Sequence, residues 1–379
     1  MAVVLLAHNG IGLGHASRFL TLASSFLAAK EKPLIIAQGY GASILLRDLG
    51  ARIIPPLRMC NDLARAYYRD LILSAASLST PSIVIEDTIP SDIDFPSHVI
   101  RWLVVRPTTP TYLDHLRSKY SNIYHRFLFA DHPSSPTWTY DEVETTKINS
   151  WTELKIIGPV YRRALSQDIQ EITSRYKYKS EEPICVFSMG GGGQHEGSDD
   201  ATPFVAQASR IAEQILLLNK QARPLFVRGP YFPIQVKIPS IFEIVDQETN
   251  MPALFSIARA AVIRPGFNSV WECISGRTPI IPILGTNYEE QSDIRIKQLE
   301  ELGLASNDLE VVWQDGDWRR RFVQIATGIA ATFSGSPPQI IIDELLRQDY
   351  IDATTIFNSE CESQIIRVLL VAVKRGWYR

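Results

Sequence analysis

A chain of 379 residues is too long for one ordinary core and suits two domains of average size. Its 45% hydrophobic and 21% charged content is that of a globular protein, and no long polar or repetitive tract marks a disordered tail or a repeat array. A formal net charge of −3 argues against a nucleic-acid partner, because a polyanion calls for a concentrated basic surface.

The chain opens on MAVVLLAHNGIGLGH, an apolar run with no basic leader and no small-residue cleavage site, which reads as a first strand rather than a signal peptide. Short apolar runs, each followed by a helix-length amphipathic stretch, recur at AVVLLA (2–7), PLIIAQ (33–38), ARII (51–54), PSIVIED (81–87), VIRWLVV (99–105) and HRFLFA (125–130). The alternation predicts a parallel sheet with helices on both faces. A polar, Pro- and Ser-rich stretch at 131–146 and a short strand leading to Gly158-Pro159 close this half, which puts a domain boundary near residue 165.

The pattern restarts with EEPICVFSMGGGG (181–193), a helix through about 201–218, ARPLFV (222–227), IFEIV (241–245), AAVI (260–263) and TPIIPIL (278–284). The expected fold is α/β, with two doubly wound Rossmann-like units, 1–165 and 166–350, facing a central cleft. The final stretch, 351–379, reads as a helix with an apolar face and a basic end that could return to the first unit. Such sheets bind ligands beyond the carboxyl ends of their strands, so the cleft is the expected active site. Cys60, Cys185, Cys273 and Cys361 are far apart and read as reduced, buried thiols. No run approaches the roughly 18 consecutive apolar residues of a membrane span, which leaves only peripheral lipid contact open and makes the cytoplasm the expected location.

After the first strand, glycines at 10, 12 and 14 allow a sharp turn and the close approach of a ligand to backbone, Gly14 being nearest the helix. A dinucleotide fingerprint would need glycine where His15 stands and an acid where the second strand ends in Gln38, so NAD and FAD are disfavoured. His15, at the tip of a helix and the mouth of the sheet, either takes a proton from an incoming hydroxyl or caps the helix. Asp87, ending the fourth strand, lines the acceptor site, orients His15 or caps a loop.

In the second half Gly190, Gly191, Gly192 and Gly193 join a strand to a helix and offer unobstructed N–H groups to phosphate oxygens. In RPGFNSVWECISG a turn at Gly266 puts Asn268 and Ser269 at a helix N-terminus suited to a diphosphate. Glu272, one turn deeper, can accept both hydroxyls of a ribose, and Glu290 with Gln291 suit the hydroxyls of a hexose. Arg264 is a phosphate clamp or a strut for the turn, and Arg228 is a phosphate contact or a surface arginine. His195, beside the glycine run, is equally open. No DxD-like pair or His/Asp cluster suggests a metal, so the expected reaction needs no cofactor beyond its co-substrate.

In this order the motifs resemble the donor half of the lipid II-forming N-acetylglucosaminyltransferase superfamily and its bacterial natural-product relatives, over 264–305. They also resemble the GxNSxxE…(D/E)Q core of the plant secondary-product glycosyltransferase signature, and GxGHxxR at 12–18 matches the superfamily's amino-terminal motif. The resemblance implies the GT-B fold, with His15 facing the reacting centre and the diphosphate held by Gly190 to Gly193 and Asn268-Ser269. It further implies ribose on Glu272, the base on backbone around Val245, and the donor sugar on Glu290-Gln291. Plant enzymes carry His where this chain has Arg264, so that contact does not transfer.

The expectation is an inverting transfer of a hexose, with N-acetylhexosamine included, from UDP rather than dTDP to a small-molecule acceptor. A nucleotide-sugar hydrolase and a non-catalytic nucleotide-sugar-binding subunit are the alternatives.

Overall fold

The computed structural model describes residues 2–7, 13–28, 33–39, 44–55, 60–77, 82–191, 200–285, 291–333 and 341. The predicted helix over 351–379 and Cys361 lie outside them, as do Gly192, Gly193, His195 and Glu290.

Seven strands, β1 (Ala2–Ala7), β2 (Leu34–Gln38), β3 (Arg52–Ile54), β4 (Ser82–Asp87), β5 (Val99–Val105), β6 (Arg126–Phe129) and β7 (Leu154–Ile156), form one sheet in the order β3-β2-β1-β4-β5-β6-β7. Five more, β8 (Ile184–Ser188), β9 (Arg223–Val227), β10 (Glu243–Val245), β11 (Ala260–Ile263) and β12 (Ile280–Pro282), form a second in the order β10-β9-β8-β11-β12. Every strand pairing is parallel. The strand order reverses between β1 and β4 in the first sheet and between β8 and β11 in the second. Each reversal splays the flanking connections to opposite faces and leaves a crevice at the strand carboxyl ends.

Helix α1 (Gly14–Ala28) shows why these residues fold this way. Phe19, Leu22, Ala23 and Phe26 recur at i, i+3, i+4 and i+7, and all four are buried with Val3, Leu5 and Ala7 of β1 and Ile83 and Ile85 of β4. Each large apolar side chain in this layer stabilises by about 1.5–3 kcal/mol. The alternate residues Val4, Leu6 and Val84 face α2 (Asp62–Ser77), burying Tyr68, Leu71, Ile72 and Ala75.

Period-2 alternation then assigns the two acids that end β4 to opposite faces. Asp87 lies on the α1 side, while Glu86 lies opposite and binds Arg101 of β5 at 2.7 Å and the Tyr124 hydroxyl at 2.6 Å. Ser91 N–H donates to the other Glu86 oxygen at 3.0 Å, so this buried ion pair also anchors the loop after β4. The run 101–105 is a buried part of β5, and Arg101 is matched inside the protein, while Arg106 just beyond the strand lines the cleft.

Around the second sheet lie α6 (Ala201–Leu218), α7 (Met251–Ile257) and α8 (Phe267–Gly276), with α9 (Ser292–Glu301) and α11 (Gly316–Thr332); further helices among the described residues are α3 (Pro110–Tyr120), α4 (Glu142–Asn149), α5 (Ser166–Arg175) and α10 (Leu309–Gln314). Among the described residues no helix is long and apolar enough to cross a membrane.

Residues 131–140, read from sequence as part of a polar connecting stretch, are largely buried. Trp138 and Tyr140 pack against Phe129, and the Asp131 carboxylate accepts from His132 N–H and Thr137 Oγ1, each at 2.9 Å, and from Ser135 Oγ. Composition gave no hint of this, because the hydroxyls satisfy a buried acid instead of meeting water.

Candidate active site

The carboxyl ends of β1 and β4, at the first reversal of strand order, place His15 and Asp87 side by side. His15 Nδ1 lies 2.5 Å from Asp87 Oδ2, and Arg18, one turn further along α1, grips the same carboxylate from Nε (2.9 Å) and Nη2 (2.7 Å). Burial pushes the Asp87 carboxyl up, but Arg18 and then His15 outweigh it and hold the group well below the usual carboxylate range. Burial lowers the imidazole below 6.5, Asp87 opposes that, and Arg18 and Arg106 reinforce it. The result is a neutral imidazole fixed through Nδ1, with Nε2 as its proton-accepting nitrogen. His15 Nδ1 and both Asp87 oxygens are engaged within this cluster.

Thr88 follows Asp87 with φ 60°, a conformation that a β-branched residue rarely adopts. Ile89 N–H donates to the Asp87 carbonyl at 2.6 Å, Thr88 N–H to Val104 O at 2.7 Å, and Tyr112 Oη to the Thr88 carbonyl at 3.2 Å. Three hydrogen bonds therefore hold a strained turn where it sets the direction of the Asp87 side chain.

Across the cleft, β8 runs into Gly190, at φ 71°, with the Gly190 N–H donating to Ser188 Oγ at 3.1 Å. Gly229, at φ 78°, backs this loop so closely that a Cβ there would sit 2.6 Å from the Gly190 carbonyl oxygen. Of the two sequence readings of Arg228, a phosphate contact or a surface arginine, its placement matches the second. Arg228 pairs with Asp246 at 2.7 Å on the surface and does not line the cavity. Helix α8 begins at its N-cap Gly266, which points Asn268 and Ser269 into the cleft. Arg264 also lines the cleft, with its guanidinium 3.2 Å from the buried Asp200 carboxylate, so its charge is partly spent on the residue that opens α6.

The two sides enclose a cavity of about 790 Å³, lined by Gly14, His15 and Arg18 on one wall and by Gly190, Gly191, Arg264, Gly266, Asn268, Ser269 and Glu272 on the other. Val245 lies outside it, because its carbonyl is taken by Arg228 N–H at the edge of the sheet; the chain first reaches the cavity at Gln247, Glu248 and Thr249. Gln291 is also outside the lining, at φ 48°, with its side-chain oxygen accepting from Thr139 Oγ1.

Several site groups are tied across the cleft. Asn268 Nδ2 donates to Gly14 O at 3.1 Å, and Glu272 accepts from Arg162 Nε at 3.1 Å. Burial raises the Glu272 carboxyl, and Arg162 and the Ser17 hydroxyl oppose it. Arg18, Arg162 and Thr139 carried no role in the sequence reading. Arg18 alone left a trace, as the last position of GxGHxxR, because side chains three apart on a helix meet the same neighbour. Among the described residues no group of three His, Cys, Asp or Glu side chains could hold a metal ion.

No family model matches the chain, and no curated protein matches it. Solved structures do, over nearly their whole length. The chain has the GT-B fold. The calicheamicin glycosyltransferase CalG4 superposes with a TM-score of 0.56 at 15% identity, covering 92% of this chain and 99% of that one. UGT2 of Phytolacca americana, solved with UDP-2-fluoro-glucose and pterostilbene, gives 0.58 at 14% identity with the same coverage. The spinosyn forosaminyltransferase SpnP gives 0.59 at 13%, again over 92% of this chain and 99% of its own. The GT-B likeness is thus to natural-product glycosyltransferases, and the lipid II-forming enzyme is not among these structures.

Proposed function

We propose that this protein is an inverting glycosyltransferase that moves a hexose from a UDP-sugar to a small-molecule hydroxyl acceptor without a metal. In this reading 1–165 receive the acceptor and 166–350 the donor. The observation that carries it is the His15–Asp87–Arg18 cluster, which faces the N-terminus of α8 across one cavity. The acceptor hydroxyl gives its proton to His15 Nε2 as its oxygen bonds to the anomeric carbon, and the bond from that carbon to the diphosphate breaks on the opposite face. Asp87, kept ionised by Arg18, stabilises the imidazolium as it forms.

The leaving diphosphate is met by the backbone N–H of Gly191, beyond the turn at Gly190, by the positive end of α8 at Asn268 and Ser269, and by Arg264. Glu272 takes the ribose, and in the same reading Glu290 and Gln291 take the sugar, which requires Gln291 to exchange its Thr139 contact for a sugar hydroxyl. Support for a UDP-sugar comes from UGT2, which was solved with UDP-2-fluoro-glucose, and support for a small-molecule acceptor from the pterostilbene in that structure.

The test measures UDP release from UDP-glucose with and without a panel of phenolic and alcoholic acceptors, alongside UDP binding by calorimetry. Release that requires an acceptor and falls about 10²–10⁴-fold in His15→Ala supports the proposal. Equal release without an acceptor identifies a hydrolase, and failure to bind UDP overturns the donor site.

A further inference from the structure

Arg162 lies in the segment that leaves β7 for the second sheet, and it reaches two separate elements at one end of the cavity. Its Nε donates to Glu272 Oε1 at 3.1 Å, and its Nη1 donates to the Thr249 carbonyl at 2.5 Å. Glu272 belongs to the second turn of α8, and Thr249 to the loop between β10 and α7; both line the cavity, as does Arg162 itself. The two charged side chains are 14% and 5% exposed, so this is no solvated surface pair.

The planar guanidinium bridges two elements of the second unit with separate nitrogens, which a lysine ammonium cannot do in the same geometry. A carboxylate offers about four acceptor directions. Oε1 is engaged by Arg162, and the Ser17 hydroxyl also acts on the carboxylate, which leaves acceptor directions on Oε2 for a ligand.

We propose that Arg162 is a positioning residue for the nucleotide: by holding Glu272 Oε1 and the Thr249 carbonyl together, it aims Glu272 Oε2 at the ribose hydroxyls and sets discrimination between ribose and 2′-deoxyribose. The inference rests on the donor reading above, since it needs a nucleoside diphosphate at Glu272. A side chain from the connecting segment thereby controls a site built by the second sheet. The physical basis is that a fixed buried acceptor rejects an analogue lacking the matching hydroxyl, whereas a carboxylate free to rotate finds another partner.

Calorimetry of the full chain with UDP and with 2′-deoxy-UDP tests this. The wild type is expected to prefer UDP at least about tenfold, in keeping with the discrimination a hydrogen-bonding site achieves. Arg162→Gln is expected to bring the ratio to within about threefold while binding of 2′-deoxy-UDP changes little, and Arg162→Lys to restore it in part. A wild-type ratio retained in Arg162→Gln, or equal weakening of both nucleotides, overturns the inference and leaves the donor site standing. If Arg162→Gln does not fold, Arg162→Lys decides, with an undiminished ratio counting against the proposal. A wild type that binds neither nucleotide removes the donor reading and this inference together.

Discussion

The indole N–H of Trp271, on α8, donates to Thr137 Oγ1 at 3.0 Å across the cleft, joining residues 134 positions apart. Thr137 in turn donates to Asp131, while the Trp271 ring stacks on Tyr161 with centroids 5.1 Å apart. The helix that carries Asn268, Ser269 and Glu272 is thus docked on the buried 131–140 segment of the other unit. Trp271→Phe keeps the stacking and removes the donor. Loss of a buried hydrogen bond should cost about 1–2 kcal/mol, read as a lower midpoint in urea denaturation with an unchanged slope.

The Asp131 carboxyl is pushed up to about 7 by burial, against hydrogen bonds from Ser135, His132 and Thr137. A carboxyl raised in the folded state contributes stability that is complete below its unfolded value near 3.9 and is lost as pH rises through about 7. Asp131→Asn removes that ionisation. The difference in melting temperature between variant and wild type should therefore shift in the variant's favour from pH 5 to pH 8. A difference that does not change with pH would contradict the assignment.

For His15, burial lowers the imidazole pKa, and the working form is the neutral one. Activity should rise with pH along a limb centred below 6.5 and stay level through pH 7–8. Asp87→Asn removes the charge that raises the imidazole pKa, so the limb should move to lower pH while the plateau falls by about 10²-fold or more. Initial rates from pH 4.5 to 8.5 give both quantities, and a limb that moves upward would contradict the pairing.

Gly229→Ala puts a Cβ 2.6 Å from the Gly190 carbonyl at a residue with φ 78°. Backbone strain of this kind costs about 1–3 kcal/mol, and relief requires the Gly190–Gly191 loop to shift. Weaker UDP binding with only a modest loss of melting temperature is the expected outcome, measured by calorimetry and thermal unfolding on the same preparation.

Arg101→Met leaves Glu86 buried without its 2.7 Å partner and should cost about 3–5 kcal/mol in urea denaturation. The double variant Glu86→Leu with Arg101→Met should recover much of that loss, since an apolar pair leaves no uncompensated charge. A double variant as unstable as the single one would show that the Tyr124 and Ser91 contacts, not the ion pair, hold this region.

The strands and the helix over 201–218 were legible because the instructions are local: apolar runs that alternate with amphipathic stretches, and glycines where strands meet helices. The same local signals brought out His15, Gly190, Asn268, Ser269 and Glu272, all of which line one cavity. By itself the sequence determined the two parallel sheets and the chemistry available at their carboxyl ends. Only the tertiary structure decided which groups meet. The period of a strand turns Asp87 toward α1 and Glu86 away from it, but that His15 and Arg18 arrive at the same carboxylate depends on strand order and helix docking. Arg162 on Glu272 and Thr137 under Trp271 are further from local control, because they join the two units, and no periodicity within either one encodes how their faces come together. Val245 and Arg228 fell outside the cavity for the same reason: proximity along the chain cannot show that an edge-strand ladder bond and a surface ion pair already occupy them.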